Sequence, residues 1–167
     1  MANPDLQFGG IPITTVGVIV RDIEAAVLEY SKAFGWGPWK FFTHEPWEST
    51  YRGQPASYTI REAFTRPAGR IGFALVQPEL GDSMWSDLLA SRGEGLQFLS
   101  LFRPSEEAAE QTISNIGRDV LMAGRVSDRL RFYFLDTLPT LHLVVETGYG
   151  DTSTLNVDKI VGADQDR

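Results

Sequence analysis

Five ionisable side chains occupy predicted strands of this chain, and together they could move a proton next to a carbonyl group. Two of these strands are LRFYFL and LHLVVE, and a third contains YTIREAF. Side chains two or four residues apart in a strand point to the same face. Carboxylate, imidazole, phenol and guanidinium groups on one face can perform general acid–base catalysis and stabilise a developing enolate. The candidate catalytic residues are Glu146, His142, Tyr133, Arg131 and Arg61.

Each candidate also has a structural interpretation. Glu146 is either an acid or base in an apolar cup, where burial would raise its pKa, or a strand-end carboxylate paired with an arginine. His142 lies four strand residues away, roughly 13 Å, so it forms no direct dyad with Glu146 and could be a simply hydrogen-bonded histidine. Arg61 and Arg131 could bind a substrate carboxylate or enolate, or form a salt bridge to Glu146. Tyr133 could donate a proton or serve as a wall residue, and the wall is favoured.

An internal repeat supplies the elements that must position these residues. The stretches TVGVIVRDIEAA (15–26) and FLSLFRPSEEAA (98–109) share a strand, a polar turn and an acidic helix start. Helices are predicted at 22–34 and 106–117, each with apolar residues near helical spacing and glycine just past its end. Further strands are predicted at 39–42, 57–64 and 70–76 and, in the second half, at 120–125, 130–135 and 141–146. The order is βαβββ twice, which is an α+β fold.

Strand alternation predicts which residues line a pocket. Val16, Val18 and Val20 form an apolar row suited to packing beneath the first helix. The opposite face mixes small, aromatic and polar residues, as pocket walls do. On that face we expect the substrate-binding residues Thr15, Thr59, Ala74, Phe98, Ser100 and Phe102. Trp39 and Trp47 either add an aromatic lip at the mouth or are ordinary packing of a long connection.

Several motifs in a fixed order resemble one known superfamily. They are TVGVIVRDIEAAVLEYSKAFGWGPW, YRGQP, FALVQP, RGEGLQFLSLF and FYFLDT ahead of LHLVVE, and they extend from about Ile13 to Glu146. In these motifs the chain is similar to the vicinal oxygen chelate superfamily, in its glyoxalase-like branch near methylmalonyl-CoA epimerase. The resemblance implies paired βαβββ units whose sheets curl around a cavity, commonly in a homodimer.

The same resemblance assigns four metal-ligand positions, and three of them have lost their ligand. The positions fall at Thr15, Ala74, Phe98 and Glu146. Only Glu146 keeps the expected side chain, and one carboxylate cannot complete a coordination shell. Gln77 and Gln97 are out of register with the ligand positions by an odd number of residues, so they should point to the opposite face. We therefore predict no metal ion and no cofactor.

Composition limits the remaining classes of function. The chain has 167 residues, a formal charge of −7 and no cysteine. One domain is expected at 11–150, with modules at about 11–80 and 93–150, an N-terminal arm at 1–10 and a polar, loosely held tail at 151–167. The acidic balance argues against a nucleic-acid partner. Because the sequence contains no secretion signal and no apolar run of membrane length, we expect a cytoplasmic protein without a membrane partner.

Two functions remain open. The first is a metal-independent enzyme that acts on a hydrophobic carbonyl-containing small molecule by isomerase, epimerase, cyclase or lyase chemistry. The second is non-catalytic binding or sequestration of a hydrophobic small molecule, as in the drug-resistance members of the superfamily. Phe98, Phe102 and the tryptophans would then stack on a planar ligand. Mutation of the ionisable groups separates the two functions, since it abolishes turnover in the first and only weakens binding in the second.

Overall fold

The computed structural model describes residues 10–69 and 71–162, so most of the predicted arm and the last five residues of the tail lie outside it. The first half contains β1 (Thr15–Ile19), α1 (Ile23–Phe34), β2 (Trp39–His44), β3 (Trp47–Tyr51), β4 (Gln54–Pro55), β5 (Thr59–Thr65) and β6 (Gly72–Leu80). After α2 (Met84–Arg92), the second half contains β7 (Gly95–Arg103), α3 (Glu106–Ile116), β8 (Val120–Ser127), β9 (Leu130–Leu135), α4 (Leu138–Leu141) and β10 (Val144–Gly150). A last strand, β11 (Lys159–Val161), follows. The α+β class predicted from the repeat is confirmed.

The strands form one curled, unclosed mixed sheet in the order β11-β2-β5-β6-β1-β7-β10-β9-β8-β3-β4. The two halves join where β1 pairs antiparallel with β7, with Thr15 opposite Ser100. Each of these strands has a parallel partner on its other side, β6 for β1 and β10 for β7. Within the described residues, no helix is both long and apolar enough to cross a membrane.

Strands β3 and β4 join the second half of the sheet although they come from the first half of the chain. β3 pairs with β8, with Tyr51 opposite Met122, and β4 pairs with β3. The chain therefore passes from one end of the sheet to the other through Glu45 and Pro46. The repeat does not predict this exchange, because a local pattern identifies a strand and not its distant partner.

Local signals set the helix ends. At the start of α1 the Asp22 side chain accepts a hydrogen bond from Ala25 N (3.0 Å), and Gly35 ends the helix in the left-handed conformation at φ 67°. The sequence pattern does not predict α2, because its apolar periodicity is weak. Its ends nevertheless carry ordinary signals, since Ser83 and Ser86 form a capping box and Gly93 follows the last residue.

Two buried clusters lie on the two faces of the sheet. The outer cluster packs Val18 and Val20 against Ile23 and Val27 of α1. This packing confirms Val18 and Val20 of the apolar row predicted for the first strand, whereas Val16 is only partly buried and lies outside the cluster. The inner cluster is largely aromatic and joins α2 to both halves of the sheet through Ile19, Tyr58, Trp85, Phe98, Phe132 and Phe134.

The C-terminal segment is held more firmly than its polar composition predicts. β11 pairs antiparallel with β2 at the edge of the sheet. The Thr43 hydroxyl donates a hydrogen bond to Asp158 (2.8 Å), and Lys159 forms an ion pair with Glu24 of α1 (2.7 Å). The expectation of a loosely held tail is wrong for this segment, because the unpaired backbone groups of an edge strand accept a further strand.

The close approach of Phe98 to Gly17 generates a stability prediction. A Cβ atom on Gly17 would overlap the Phe98 ring. We expect Gly17→Ala to lower the free energy of unfolding by about 1–3 kcal/mol, the usual cost of overpacking a core. In a Phe98→Ala background the same change should cost much less, because the ring is gone. Urea denaturation of the four proteins in a double-mutant cycle measures this coupling. Equal costs in the two backgrounds would contradict the contact.

Candidate functional site

The inner face of the curled sheet surrounds a cavity of about 1300 Å³. Its wall is mainly apolar, and both halves of the sheet contribute aromatic rings: Phe42, Phe64, Phe98, Phe102, Phe132 and Phe134, together with Trp85 of α2. A few ionisable groups stand among them, including Lys40, His44, Glu62, Arg66 and Glu146. A large apolar cavity with few polar groups is typical of small-molecule sites.

The four positions that the family resemblance assigns to metal ligands all lie on this wall: Thr15, Ala74, Phe98 and Glu146. The strand register brings them together. Gly17 on β1 is opposite Ala74 on β6 and Phe98 on β7, and Ser100 on β7 is opposite Glu146 on β10. Ser100 and Phe102 line the same cavity. The face predicted for β1, β6 and β7 therefore faces the cavity.

The residues at this centre do not fit a divalent metal ion. Ala74 and Phe98 have no donor atom, and the Thr15 hydroxyl is a weak neutral ligand. Within residues 10–69 and 71–162, no three His, Asp or Glu side chains form a group that could hold an ion. The ligand set that the resemblance implies is reduced to Glu146.

Two glutamines that could have replaced the metal ligands form hydrogen bonds outside the cavity instead. Gln77 accepts a hydrogen bond from Ile23 N at the start of α1 (2.8 Å). Gln97 donates one to the Gly93 carbonyl (2.6 Å). Neither residue lines the cavity, which agrees with their predicted position on the opposite face.

Glu146 is a carboxyl group enclosed by the apolar wall. Burial raises the pKa of Glu146 to about 8; a hydrogen bond from the Ser100 hydroxyl opposes this shift, and the negative charge of Glu62 adds to it. The side chain keeps partial access to the cavity, so a ligand there can reach it. A carboxyl group that titrates near pH 8 can both accept and donate a proton at mild pH.

A second acidic group faces the same cavity from the first half of the sheet. Glu62 Oε2 on β5 lies 2.8 Å from His44 Nε2 on β2. The Phe42 ring stacks on the imidazole, with ring centroids 5.6 Å apart. A carboxylate at this distance orients the imidazole and can exchange a proton with it. The cavity therefore contains two acid–base groups, Glu146 from one half and the His44–Glu62 pair from the other.

Three residues predicted on the wall of the first half lie elsewhere: Thr59, Arg61 and Trp39. Arg61 faces outward and forms an ion pair with Glu24 of α1 (2.5 Å). Trp39 is fully buried in the cluster beneath α1. The register of β5 shifts between Thr59 and Ile60. From Ile60 onward the side chains of β5 alternate between the two faces, and the face that lines the cavity is that of Ile60, Glu62 and Phe64, opposite to the predicted one.

The predicted catalytic residues of β9 and the final strand also lie outside the cavity. Arg131 and Tyr133 face outward, with the guanidinium 5.3 Å from the centre of the phenol ring. Their neighbours Phe132 and Phe134 line the cavity instead, because in this half the cavity wall is the more apolar face. His142 lies outside any strand; it follows α4 in the left-handed conformation at φ 61° and is exposed.

The cavity is also lined by the end of β10 and the start of the connection to β11, through Gly150, Asp151, Thr152, Ser153 and Leu155. Hydroxyl groups of Ser127 and Thr154 hydrogen bond (2.9 Å) and hold this segment against β8. Trp47 does not contribute to the wall, because at the start of β3 it is 43% exposed. Neither Trp39 nor Trp47 lines the cavity in the described part of the chain, so the predicted tryptophan lip is not formed there. Phe42 does line the cavity.

The cavity-lining residues that sequence reasoning missed include Glu62, His44 and Trp85. Glu62 is the neighbour of Arg61 in β5, so the opposite choice of face would have identified it. His44 lies two residues past the strand predicted at 39–42, which in the structure continues to His44. Trp85 lies in α2, for which the capping box at Ser83 was the available signal.

The raised pKa of Glu146 predicts how stability varies with pH. The folded chain holds this proton between the ordinary value of 4.5 and about 8, whereas the unfolded chain releases it. The free energy of unfolding therefore falls as the pH rises through that window. Glu146→Gln stays neutral and should remove this decline, by up to about 5 kcal/mol above pH 8 and by little near pH 4.5. Urea denaturation across this pH range measures it, and parallel curves would contradict the shift.

No family model matches the sequence, and no curated protein matches it. Solved structures do match. A methylmalonyl-CoA epimerase from Mycobacterium tuberculosis is 19% identical, with 84% of this chain and 89% of that chain covered and a TM-score of 0.60. A hypothetical protein from Bacillus halodurans is 16% identical, with 87% and 98% covered and a TM-score of 0.62.

A third match is a variant of the Streptomyces coelicolor methylmalonyl-CoA epimerase in complex with 2-nitronate-propionyl-CoA. It is 22% identical, with 84% of this chain and 94% of that chain covered and a TM-score of 0.55. At these identities the likeness concerns the fold. This chain has the vicinal oxygen chelate, or glyoxalase-like, fold.

Proposed function

We propose that this chain is an acid–base enzyme that epimerises or isomerises a hydrophobic carbonyl-containing small molecule without a metal ion. The observation that carries the proposal is the presence of two acid–base groups on one apolar cavity, Glu146 with Ser100 and Glu62 with His44. They come from opposite halves of the sheet, so a substrate between them meets one group on each side. Proton removal on one side and return on the other inverts a carbon next to a carbonyl.

The proton transfers balance within these groups. Ionised Glu146 takes the proton from the carbon next to the carbonyl, and the electron pair of that C–H bond moves into the enolate. The His44–Glu62 pair then donates its proton to the opposite face of the same carbon, and the enolate electrons form the new C–H bond. Glu146 ends protonated and the pair ends deprotonated, so the next turnover runs in reverse or follows proton exchange with water. Lys40 and Arg66 supply positive charge on the wall for the enolate.

The substrate class follows from size and from the ligands of the fold neighbours. Two neighbour structures contain methylmalonyl-CoA and 2-nitronate-propionyl-CoA, which are coenzyme A derivatives. We propose a carbonyl compound on a long carrier for this chain as well. The cavity of about 1300 Å³ is larger than the usual range for drug-sized ligands, which supports an extended substrate. A cytoplasmic location and a homodimer belong to the same proposal.

The aromatic wall favours one alternative function, which is sequestration of a planar hydrophobic compound. Rings of Phe42, Phe64, Phe98 and Trp85 could stack on such a ligand without any proton transfer. In that case the carboxyl groups would only orient the ligand. Loss of the ionisable groups would then change affinity and leave no turnover to abolish.

Elemental analysis tests metal independence. After purification without added metal, we expect far less than one Zn, Ni, Mn or Fe per chain, because Ala74 and Phe98 have no donor atom and the Thr15 hydroxyl is a weak neutral ligand. Phe98→His restores one donor and should still retain no ion, since Ala74 and Thr15 remain. A stoichiometric ion that resists a chelator would contradict the proposal.

Deuterium uptake from D₂O at the carbon next to the carbonyl tests the chemistry, with methylmalonyl-CoA and simpler branched acyl thioesters as probes. Glu146→Gln keeps the shape and removes the base, so the rate should fall by roughly 10² to 10⁴. Glu62→Gln should reduce it as well. Glu29→Gln, on the exposed side of α1, is the matched control and should leave the rate unchanged. Unchanged exchange with Glu146→Gln would remove Glu146 from the mechanism.

The pH dependence of the rate tests whether Glu146 is the base. The rate should rise with pH through about 8, where Glu146 ionises. In Glu62→Gln the rise should move to lower pH, because the negative charge that adds to the shift is gone. If the pH at which the rate rises is the same in Glu62→Gln as in the wild type, the two carboxyl groups do not interact and the proposal that they share a substrate is contradicted.

A further inference from the structure

Four side chains form a continuous row across the outer face of β7, β10, β9 and β8. The register places Arg103 opposite Tyr149, Tyr149 opposite Arg131, and Arg131 opposite Arg125. Residues directly opposite on neighbouring strands share a face. We call these four residues the arginine row. It lies beside the start of α3, which begins shortly after Arg103.

In the described part of the chain, two of the three arginines have no hydrogen-bond acceptor, although the Arg131 guanidinium lies over the Tyr133 ring, 5.3 Å from its centre. Arg125 Nε donates to Glu48 Oε2 (2.8 Å). Within residues 10–69 and 71–162, the guanidinium groups of Arg103 and Arg131 form no ion pair or hydrogen bond, and the Nε atom of each is buried without a partner. Both side chains are half-buried. A half-buried charged donor without an acceptor is costly.

The internal repeat indicates which carboxylate partner Arg131 lacks. Arg61 on β5 is opposite Gln77, as Arg131 on β9 is opposite Tyr149, and Arg61 pairs with Glu24 of α1 (2.5 Å). The repeat aligns Glu24 with Glu107 of α3. Glu107 is exposed, and its carboxylate interacts instead with its own backbone N–H and with Ser105 at the start of the helix. The acceptor that the first half supplies is therefore not supplied in the second half.

Other carboxylates near the row do not replace this acceptor. Burial raises the pKa of Tyr149, and the neighbouring Glu106 carboxylate raises it further. Burial also raises the pKa of Tyr133, and the negative charges of Glu106 and Glu110 add to that increase. Neither glutamate lies within ion-pair distance of a guanidinium in the described part of the chain. The chain has 22 acidic residues against 15 basic ones, so the missing acceptor does not reflect a shortage of carboxylates.

We infer that the arginine row binds a tetrahedral oxyanion, a free phosphate or a phosphate monoester, on the outer face of the second half. Arg103 and Arg131 flank Tyr149, and each guanidinium can donate parallel hydrogen bonds to the oxygens of such an anion. The Tyr149 hydroxyl between them already interacts with Glu106 and Arg125, so the two guanidinium groups are the donors. The positive end of the α3 dipole adds to the attraction. Arg103, at the end of β7, also borders the cavity, whereas Arg125, Arg131 and Tyr149 do not. The inference does not require the chemistry proposed for the cavity.

Thermal unfolding in inorganic phosphate, with ionic strength held constant by chloride, tests the site. Phosphate should raise the Tm of the wild-type chain by about 2–5 °C, with saturation. The combined variant Arg103→Gln and Arg131→Gln should lose this rise. Arg129→Gln removes an exposed arginine between β8 and β9 and should keep it. No rise in the wild type, or an equal rise in all three proteins, would mean an adventitious ion only and would overturn the site.

A phosphorus NMR titration gives a second readout that does not depend on the double variant folding. Arg103→Gln alone, at the end of β7, should weaken phosphate binding about tenfold. Glycerol 2-phosphate distinguishes the sources, because tighter binding than that of inorganic phosphate indicates a monoester and weaker binding indicates the free ion. Glu146→Gln should bind phosphate as the wild type does, so failure of the cavity chemistry and failure of this site are distinguishable. Unchanged binding by Arg103→Gln would overturn the site.

Discussion

The antiparallel pairing of β1 with β7 is the contact on which the rest of the structure depends. It sets β6 and β10 on the two outer sides of the pair, so residues from four strands meet on one inner face. Gly17 allows this meeting, because the Phe98 ring occupies the space that a side chain would need. Gly72 accommodates the Phe64 ring in the same way. Aromatic rings thereby fill the centre of a fold in which related sequences are expected to place metal ligands.

The loss of those ligands changes what the surviving carboxyl group can do. Glu146 lies in an apolar wall, with a hydroxyl group as its hydrogen-bond partner, and burial raises its pKa to about 8. A metal ion at the same place would instead hold the carboxylate ionised. The energetic cost of burying the charged carboxylate among apolar side chains favours its protonated form. This tendency is the property that acid–base chemistry requires.

The two halves differ most on their outer faces. In the first half, Glu24 of α1 binds both Arg61 and Lys159, so a helix, an inner strand and the last strand share one carboxylate. In the second half, the equivalent arginine, Arg131, has no carboxylate partner among residues 10–69 and 71–162. The position equivalent to Val20 in the repeat is Arg103. In the first half the outward-facing positive charges of Arg61 and Lys159 are therefore paired with Glu24. In the second half the described residues leave the half-buried Arg103 and Arg131 without a carboxylate partner.

The sequence by itself determined the repeat, the α+β class, the helix ends at Asp22 and Gly35, and the shared face of Thr15, Ala74, Phe98 and Glu146. These features follow from short-range patterns: a period of two in strands, capping residues, and spacing within motifs. Alternation shows which residues share a face, but it does not show which face a cavity occupies. For β5 and β9 that choice depended on long-range pairing and on the relative apolarity of the two sides.

Only the tertiary structure therefore replaced Arg61 and Arg131 with Glu62 and Phe132 on the wall, extended β2 to His44, and moved His142 out of the final strand. It also assigned β3 to the other half and placed β11 on β2. In each case the deciding interaction joins residues distant in the chain, such as Arg61 with Glu24 or His44 with Glu62. A register shift of one residue is enough to exchange every side chain of a strand between the two faces, and no local pattern reports it.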